Sequence, residues 1–330
     1  MAENTVLITG AGGFIGSNLV DDQLARGKEV IALDLNLDRL RHTASTPHCR
    51  QVVGDVQEAD LLQDVLAGVD TVFHLASAHL EVSKSDAYFR EVNVTAVKTL
   101  LRLAHHQGVR RFVHCSSVGV YGPLEKLPAD ETTACHPDII YEVTKLEGEN
   151  AVRQFVEKTG FSAVVLRPAW VYGPRCPRTL KLFRTIKKKR FFMVGNGDNY
   201  RHPIYISDML EAFELAAQQP GIDGETFLIA SAEPVPLSAL VRHIIEAQQI
   251  RFRPLTIPLA LMTPVCLIVE GLFKLVSKEP PFSTRSLKFF TESSAFDIAK
   301  ARRGLGFEPK ITLLDGLEKT RQYNVDQGLL

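Results

Sequence analysis

Short apolar runs alternate with stretches of helical spacing along the first half of the chain. Val6-Leu-Ile-Thr9 is a brief apolar run, and Phe14 to Arg26 then carries apolar side chains at helical spacing up to Gly27. Glu29–Asp34 predicts a second strand, Gln51–Val53 a third and Thr71–Leu75 a fourth, with a helix at Leu61–Leu66 between the last two. A long helical stretch from Tyr88 to Gln107 leads to Gly108 and the strand Arg111–Cys115. Another helix, Ile139–Lys158, precedes a strand at Ser162–Leu166. These strands show little polar alternation, which is the pattern of a parallel sheet covered on both faces. The expected class is α/β, a doubly wound parallel sheet of the Rossmann type over residues 1–168. After Pro168 prolines and glycines become frequent (Gly173, Pro174, Pro177, Gly195, Gly197). Residues 169–330 are expected to form mainly a smaller α+β substrate-binding domain, with some segments returning to the first.

Composition narrows the partners. The 330 residues are 45% hydrophobic and 23% charged, ordinary values for a soluble globular protein. Lys and Arg number 38, as do Asp and Glu, so net charge suggests neither nucleic acid nor an anionic membrane surface as partner. The five cysteines (Cys49, Cys115, Cys135, Cys176, Cys266) are scattered with no CxxC pair, so neither a disulfide framework nor a metal site is expected. Reduced thiols and an N-terminus without a basic, then apolar, leader fit a cytoplasmic protein. Leu255–Val276 (LTIPLALMTPVCLIVEGLFKLV) has about the length of a membrane span, but Pro258 and Pro264 interrupt it and Glu270 and Lys274 charge its second half. A central charge costs roughly 2.5–3.5 kcal/mol on translocon scales, so a crossing is not expected. Two readings stand: a helix of the second domain that covers substrate, or a peripheral contact that associates the protein with a membrane. The basic run Lys187-Lys-Lys-Arg190 reads as a solvated helix end, with a patch for an anionic substrate as the alternative.

Gly10-Ala-Gly-Gly13-Phe-Ile-Gly16 follows the first strand and opens the first helix, the context in which a glycine-rich turn binds a dinucleotide. Gly10, Gly13 and Gly16 serve the tight turn, the approach of pyrophosphate and the helix–sheet contact. Phe14 and Ile15 begin the helix whose free N–H groups face the phosphates. Asp34, about twenty residues on at the end of the second strand, is placed to accept from adenosine ribose hydroxyls. A carboxylate there repels a 2′-phosphate, so NAD is expected over NADP, although Arg39 and Arg41 follow closely.

Tyr141-Glu-Val-Thr-Lys145 puts a phenol and an ammonium on one helix face. Upstream, Ser117 lies just past the carboxyl end of the fifth strand, the end at which such sheets bind ligands. Hydride transfer at a secondary alcohol needs a group that also moves the hydroxyl proton. A Tyr with a pKa near 10 must drop by about three units to act as that base, roughly 4 kcal/mol, which one cation at about 4 Å supplies at an effective dielectric near 20. Lys145 is the expected cation, assisted by the charge of oxidised nicotinamide, and Ser117 the group that holds the substrate oxygen. Singly, each has a plainer reading: an interface aromatic, a solvated charge, a strand cap.

With these motifs in place the chain resembles the extended short-chain dehydrogenase/reductases of the NAD-dependent epimerase/dehydratase superfamily. The resemblance rests on the glycine-rich turn, Gly54-Asp55-Val56, His74-Leu75-Ala76, Asn93-Val94, the Ser117–Tyr141–Lys145 set and Arg167-Pro168-Ala-Trp-Val-Tyr-Gly-Pro174. It continues through Gly195-Asn-Gly197, Tyr205-Ile-Ser-Asp208, Phe296-Asp-Ile-Ala-Lys300 and Leu305-Gly-Phe-Glu-Pro309. It implies that Asp55 and Val56 flank adenine and that Leu75, Ala76 and Ser77 run along the cofactor. By the same resemblance Tyr141 and Lys145 also touch it, Lys145 at the nicotinamide ribose, and Pro168 begins the loop beside the nicotinamide. It also implies a homodimer through the helices around Tyr88–Gln107 and Ile139–Lys158.

Departures from the family pattern bear on substrate. Val118-Gly119 stands where the 4,6-dehydratases carry Asp-Glu, which argues against water elimination. Trp170 replaces the Asn that holds a sugar nucleotide in the epimerases, whereas Arg201 matches the family's nucleotide-phosphate Arg. The C-terminal part, with Pro281-Phe-Ser-Thr-Arg285 and the apolar stretch, is more similar to 3β-hydroxysteroid and sterol dehydrogenases. Three functions follow. The first is an NAD(P)-dependent oxidoreductase of a secondary alcohol or ketone, with a hydrophobic, steroid-like substrate. The second is a nucleotide-sugar epimerase that retains NAD, and the third is a non-catalytic NAD-binding protein.

Overall fold

The computed structural model describes residues 4–79, 84–275 and 284–330. Val276 and the Pro281–Ser283 part of the steroid-dehydrogenase-like motif lie outside the described residues. Six strands, β1 (Thr5–Thr9), β2 (Glu29–Asp34), β3 (Cys49–Val53), β4 (Thr71–His74), β5 (Arg111–Cys115) and β6 (Ala163–Pro168), run parallel in the spatial order β6-β5-β4-β1-β2-β3. The strand Thr226–Ile229 adds to β6 as a seventh, in parallel register with Phe227 opposite Leu166. The chain winds outward from β1 in both directions, so a crevice opens past the carboxyl ends of β1 and β4, the position of ligand sites in such sheets.

Both faces of the sheet are buried, which is why its strands lack polar alternation. Val6, Ile8, Val113 and Val164 belong to one apolar cluster with Leu19 and Val20 of helix α1 (Phe14–Ala25). Leu7, Val72, Phe112 and Val165 face the other way, onto Leu100 and Leu101 and Val152. That second face is covered by helices α2 (Ala59–Val65), α3 (Asp86–Arg90), α4 (Ala96–His106) and α5 (Ile140–Thr159). The expected single helix Tyr88–Gln107 is therefore two helices, α3 and α4, joined by a wide π turn over Glu91–Thr95.

The chain beyond Pro168 contributes to both parts of the molecule. Helix Ile206–Gln218 packs on the first face of the sheet, with the Phe213 ring edge-on to Phe73 at 5.9 Å. Arg111 reaches Asp223 at 2.9 Å, and the Glu131 carboxylate accepts from the Leu228 N–H at 2.8 Å, so the seventh strand is tied down at both ends. Helices Pro177–Lys187 and Leu237–Ala247 and several short strand pairs stand above the crevice. The apolar stretch from Leu255 divides at Pro258. Leu255–Ile257 pairs in parallel with Phe192–Val194, and Leu259–Leu275 is a helix. Among the described residues no helix is long and apolar enough to cross a membrane.

Candidate functional site

The glycine-rich turn is shaped by contacts that only glycine permits. Gly10 has φ +71, and a Cβ there would lie 2.6 Å from the Ala76 nitrogen. A Cβ on Gly16 would overlap the Gly10 carbonyl, and one on Gly12 would overlap the Asn36 carbonyl. Gly13 differs: its Cβ would approach only the Gly10 oxygen, at 3.1 Å, so its outer side is open. Gly13 begins α1 with no side-chain cap and no acid in the first turn, which leaves the positive end of the helix for an anion. Phe14 and Ile15 sit half-buried in that first turn. A cradle that a Cβ would fill, at an uncapped helix end, fits a dinucleotide pyrophosphate. Gly12 is a requirement that the motif spacing does not reveal.

Asp34 is brought to this turn by β2. Its carboxylate accepts from the Gly12 N–H at 2.9 Å and from the Asn36 N–H at 3.1 Å. Gly54 donates to the Asp34 carbonyl at 3.1 Å, which sets Asp55 and buried Val56 beside it. Arg39 donates to the Gly12 carbonyl at 2.8 Å, so a cation also stands at the turn. Leu75, Ala76 and Ser77 form the loop after β4. Leu75 and Ala76 donate to the Thr9 carbonyl and hydroxyl at 3.1 and 3.3 Å.

Asn93 joins this loop to the catalytic helix. It sits in the π turn, buried, and its Oδ1 accepts from the Ser77 hydroxyl at 3.0 Å and the Ala78 N–H at 2.9 Å. Its Nδ2 donates to the Thr144 hydroxyl of α5 at 2.9 Å. Gly148 on α5 faces the same turn, where a Cβ would lie 2.6 Å from the Asn93 carbonyl. Sequence spacing marked Asn93 only as part of a motif; its positioning role comes from the turn.

Ser117, Tyr141 and Lys145 converge at the carboxyl end of β5. Ser117 caps a short turn, accepting from Gly119 at 3.1 Å, and its hydroxyl also acts on the Tyr141 phenol. Lys145 is buried and donates to the Cys115 carbonyl at 2.6 Å. Burial pulls the Lys145 ammonium down in pKa, while Cys115 and Glu149 hold it up. Below it, His74 and His114 stack at 5.4 Å. Burial first, and the Lys145 charge next, press His74 down to about 3 and His114 well below its usual value.

Burial first, and Cys115 next, hold the Tyr141 phenol above its usual range, and Ser117 and Arg178 pull it back. The Lys145 ammonium is directed at a main-chain carbonyl. Two further residues stand beside Tyr141, and neither was legible from spacing. The His79 ring stands edge-on to Tyr141 with centroids 4.4 Å apart, and Arg178 contacts the His79 Nε2 at 3.2 Å.

Beneath the site lies a buried ionic network. Glu149 on α5 pairs with Arg167 of β6 at 2.6 Å, with side chains 0% and 4% exposed. Glu149 also accepts from the Ser116 hydroxyl, and Arg167 donates to the Tyr121 hydroxyl at 2.8 Å, which in turn donates to the Asp130 carbonyl at 2.8 Å. Burial raises the Tyr121 phenol to about 12, so it stays a donor.

The expected substrate residues are spread over the upper part. Pro168 ends β6, buried beside Ile229. Trp170 is half-buried on the next strand, with its ring 6.5 Å from Tyr172. Arg201 donates to the Lys288 carbonyl at 3.2 Å and to the Phe289 carbonyl, and lies over the Phe289 ring at 4.7 Å. Burial brings its pKa down to about 10. Helix Thr284–Thr291, which holds Arg201, is linked to the start of α5 by Lys288 and Asp138 at 2.5 Å.

Comparison with known proteins agrees with this geometry. The model of the NAD dependent epimerase/dehydratase family matches residues 6–230. The chain is 28% identical over 327 residues to the N-acetyl-alpha-D-glucosaminyl-diphospho-ditrans,octacis-undecaprenol 4-epimerase of Escherichia coli O157:H7, covering 97% of this chain and 95% of that protein. It is 26% identical to the mouse (Mus musculus) sterol-4-alpha-carboxylate 3-dehydrogenase, decarboxylating, over 96% of this chain and 89% of the relative. Its fold is similar to that of UDP-glucose 4-epimerase from Thermotoga maritima, solved with UDP-glucose, with a TM-score of 0.80 and 25% identity over 98% of this chain and 99% of the other.

Proposed function

The chain belongs to the NAD dependent epimerase/dehydratase family and is an NAD-dependent oxidoreductase, and from that premise we propose that it interconverts a secondary alcohol and a ketone on an apolar substrate at Ser117, Tyr141 and Lys145. The observation that carries the reading is the convergence of the Tyr141 phenol, the Ser117 hydroxyl and the buried Lys145 at the carboxyl end of β5, beside the glycine-rich cradle. NAD, held at the glycine-rich turn, would supply the hydride acceptor for the carbinol carbon. The Ser117 hydroxyl donates to the substrate oxygen and fixes its direction. Tyr141 Oη takes the hydroxyl proton as the carbonyl forms, and returns it when a ketone is reduced. Lys145 supplies a fixed positive charge below the phenol and a donor toward the cofactor ribose. Asp34 would accept from the adenosine ribose, Asp55 and Val56 would flank the adenine, and Leu75–Ser77 and Pro168 would line the path between.

The apolar substrate is supported by the apolar helix Leu259–Leu275; Arg201 gives its Nη2 to main-chain carbonyls and its face to the Phe289 ring, and its buried Nε has no partner among the described residues. That segment is taken to cover an apolar ligand or to meet a lipid surface. The helices α4 and α5 are taken to pair in a homodimer, residues 1–168 to bind cofactor and residues 169–330 mainly to bind substrate, with Ile206–Gln218 and Thr226–Ile229 returned to the first part. A screen tests the substrate class: apolar alcohols such as hydroxysteroids are expected to yield NADH, and UDP- or dTDP-sugars are not. Arg201→Ala should leave KM for the apolar alcohol within about twofold. A rise of about tenfold, as expected for loss of a phosphate contact, together with turnover of nucleotide sugars, would establish the epimerase reading instead.

Cofactor choice is tested at Asp34. NAD should bind more tightly than NADP, because a 2′-phosphate would meet the Asp34 carboxylate. Asp34→Ala should narrow the gap by about tenfold, aided by the nearby Arg39. Fluorescence titration showing equal or tighter NADP binding by the unaltered protein would refute the assignment.

A further inference from the structure

The chain as a whole is electrically neutral, yet residues 175–190 hold eight Lys and Arg and no Asp or Glu. Arg175 is paired with Asp21 and Arg178 faces His79, but the cations beyond them point outward. Lys181, Arg184, Lys188 and Arg190 line a surface hollow of roughly 410 Å³. Directly after Arg190 the chain enters Phe192–Val194, whose partner strand Leu255–Ile257 is preceded by exposed Arg251 and Arg253. The two strands are parallel with Leu255 opposite Phe192, so Arg190 and Arg253 sit at corresponding positions at one end of the pair.

The helix Leu259–Leu275 packs on the same strand pair. Met262 and Cys266 are its buried stripe, against Val194 and Leu287. Its other side is apolar and open: Leu261, Val265 and Ile268 follow helical spacing at 62%, 47% and 63% exposure, with Leu267 at 57% beside them. No charged residue occurs from Leu259 to Val269. At about 3.3 Å per strand residue, Arg190 lies within about 15 Å of Val194, on which this helix rests. One edge of the molecule thus carries an uninterrupted apolar stripe and a block of cations of a single sign.

We propose that this edge docks on an anionic lipid bilayer, with Leu261, Val265, Leu267 and Ile268 entering the acyl boundary and the cations of 181–190 and 251–253 meeting phosphate headgroups. The combination is that of an interfacial helix with apolar and basic faces. A protein partner would more commonly meet an apolar centre rimmed by polar groups of both signs. The surface also adjoins the site: Arg178, which contacts His79 beside Tyr141, lies one helical turn before Lys181. The proposal extends the apolar-substrate reading above, since a lipid-borne alcohol would reach Tyr141 from this edge.

Co-sedimentation of the full chain with vesicles, without substrate, tests it. Binding should be about tenfold stronger to vesicles with a third phosphatidylglycerol than to phosphatidylcholine alone, a ratio that two engaged cations supply, and it should fall as salt rises. Leu261→Ser with Ile268→Ser should weaken binding to the anionic vesicles by about tenfold or more, as expected for loss of two buried apolar side chains. Lys188→Glu with Arg253→Glu should abolish the preference for phosphatidylglycerol. A chain that stays in the supernatant with both vesicle types overturns the proposal. So does a wild-type oligomer that the serine variant converts to monomers without vesicles, which would make the stripe a contact between copies. NADH formation with detergent-dispersed alcohol judges the catalytic reading separately.

Discussion

Tyr141→Phe is expected to lower kcat about a thousandfold while NAD affinity changes by no more than about twofold. The ring keeps its shape and its edge contact with His79, so the site stays packed and only the proton-carrying oxygen is lost. General acid–base groups contribute factors of about 10²–10⁴, which sets the size of the effect. The pH profile adds a second check. A base whose pKa burial holds above the usual phenol range is less ionised at neutral pH, so alcohol oxidation by the unaltered enzyme should keep rising into the alkaline range. Arg178 favours the phenolate, so Arg178→Ala should raise the phenol pKa further and move that rise to still higher pH. Turnover like that of the wild type in Tyr141→Phe would remove the phenol from the mechanism.

The largest effect on stability is expected from Glu149→Ala. It leaves the Arg167 guanidinium buried without its carboxylate, and the Ser116 hydroxyl without its acceptor. Breaking a buried pair on one side costs about 3–5 kcal/mol, whereas replacing both partners with apolar residues is often nearly neutral. Urea unfolding should therefore show a large loss for Glu149→Ala and a much smaller one for Glu149→Leu combined with Arg167→Met. If the double variant is no more stable than the single one, the cost lies in packing and not in an orphaned charge. Glu149 also supports the charge on Lys145, so the single variant should bind NAD more weakly even where it remains folded.

The strands were legible because each is a short run of the sequence, whereas the glycine-rich turn is shaped by Ala76 and Asn36, far along the chain. Val6–Thr9 and Arg111–Cys115 show no polar alternation, and the structure buries both, with Thr9, Arg111 and His114 included. Helical periodicity alone could not show that Glu91–Thr95 winds wider than its neighbours, since the turn is fixed by Asn93 bonding to Ala78 and Thr144. The partner of the Lys145 ammonium was also hidden. A spacing of four residues sets Tyr141 and Lys145 on one face, but the carbonyl that takes the ammonium belongs to Cys115, thirty residues earlier. Arg201 is the same case at longer range, because the carbonyls that occupy it come from Lys288 and Phe289. In the stretch from Leu255, Pro258 was visible as an interruption, but the strand before it needed Phe192–Val194 as partner.

The place of Thr226–Ile229 at the edge of the main sheet has a consequence for how the chain comes off the ribosome. Once residue 168 has emerged, β6 presents Val164, Val165 and Leu166 beside an open row of main-chain donors and acceptors. The strand that covers this edge arrives some sixty residues later, a delay of about 3–12 s at ordinary elongation rates of about 5–20 residues per second. During that interval the nascent sheet is complete enough to form yet unsealed on one side. Chaperone occupancy on stalled chains should accordingly concentrate between these two lengths.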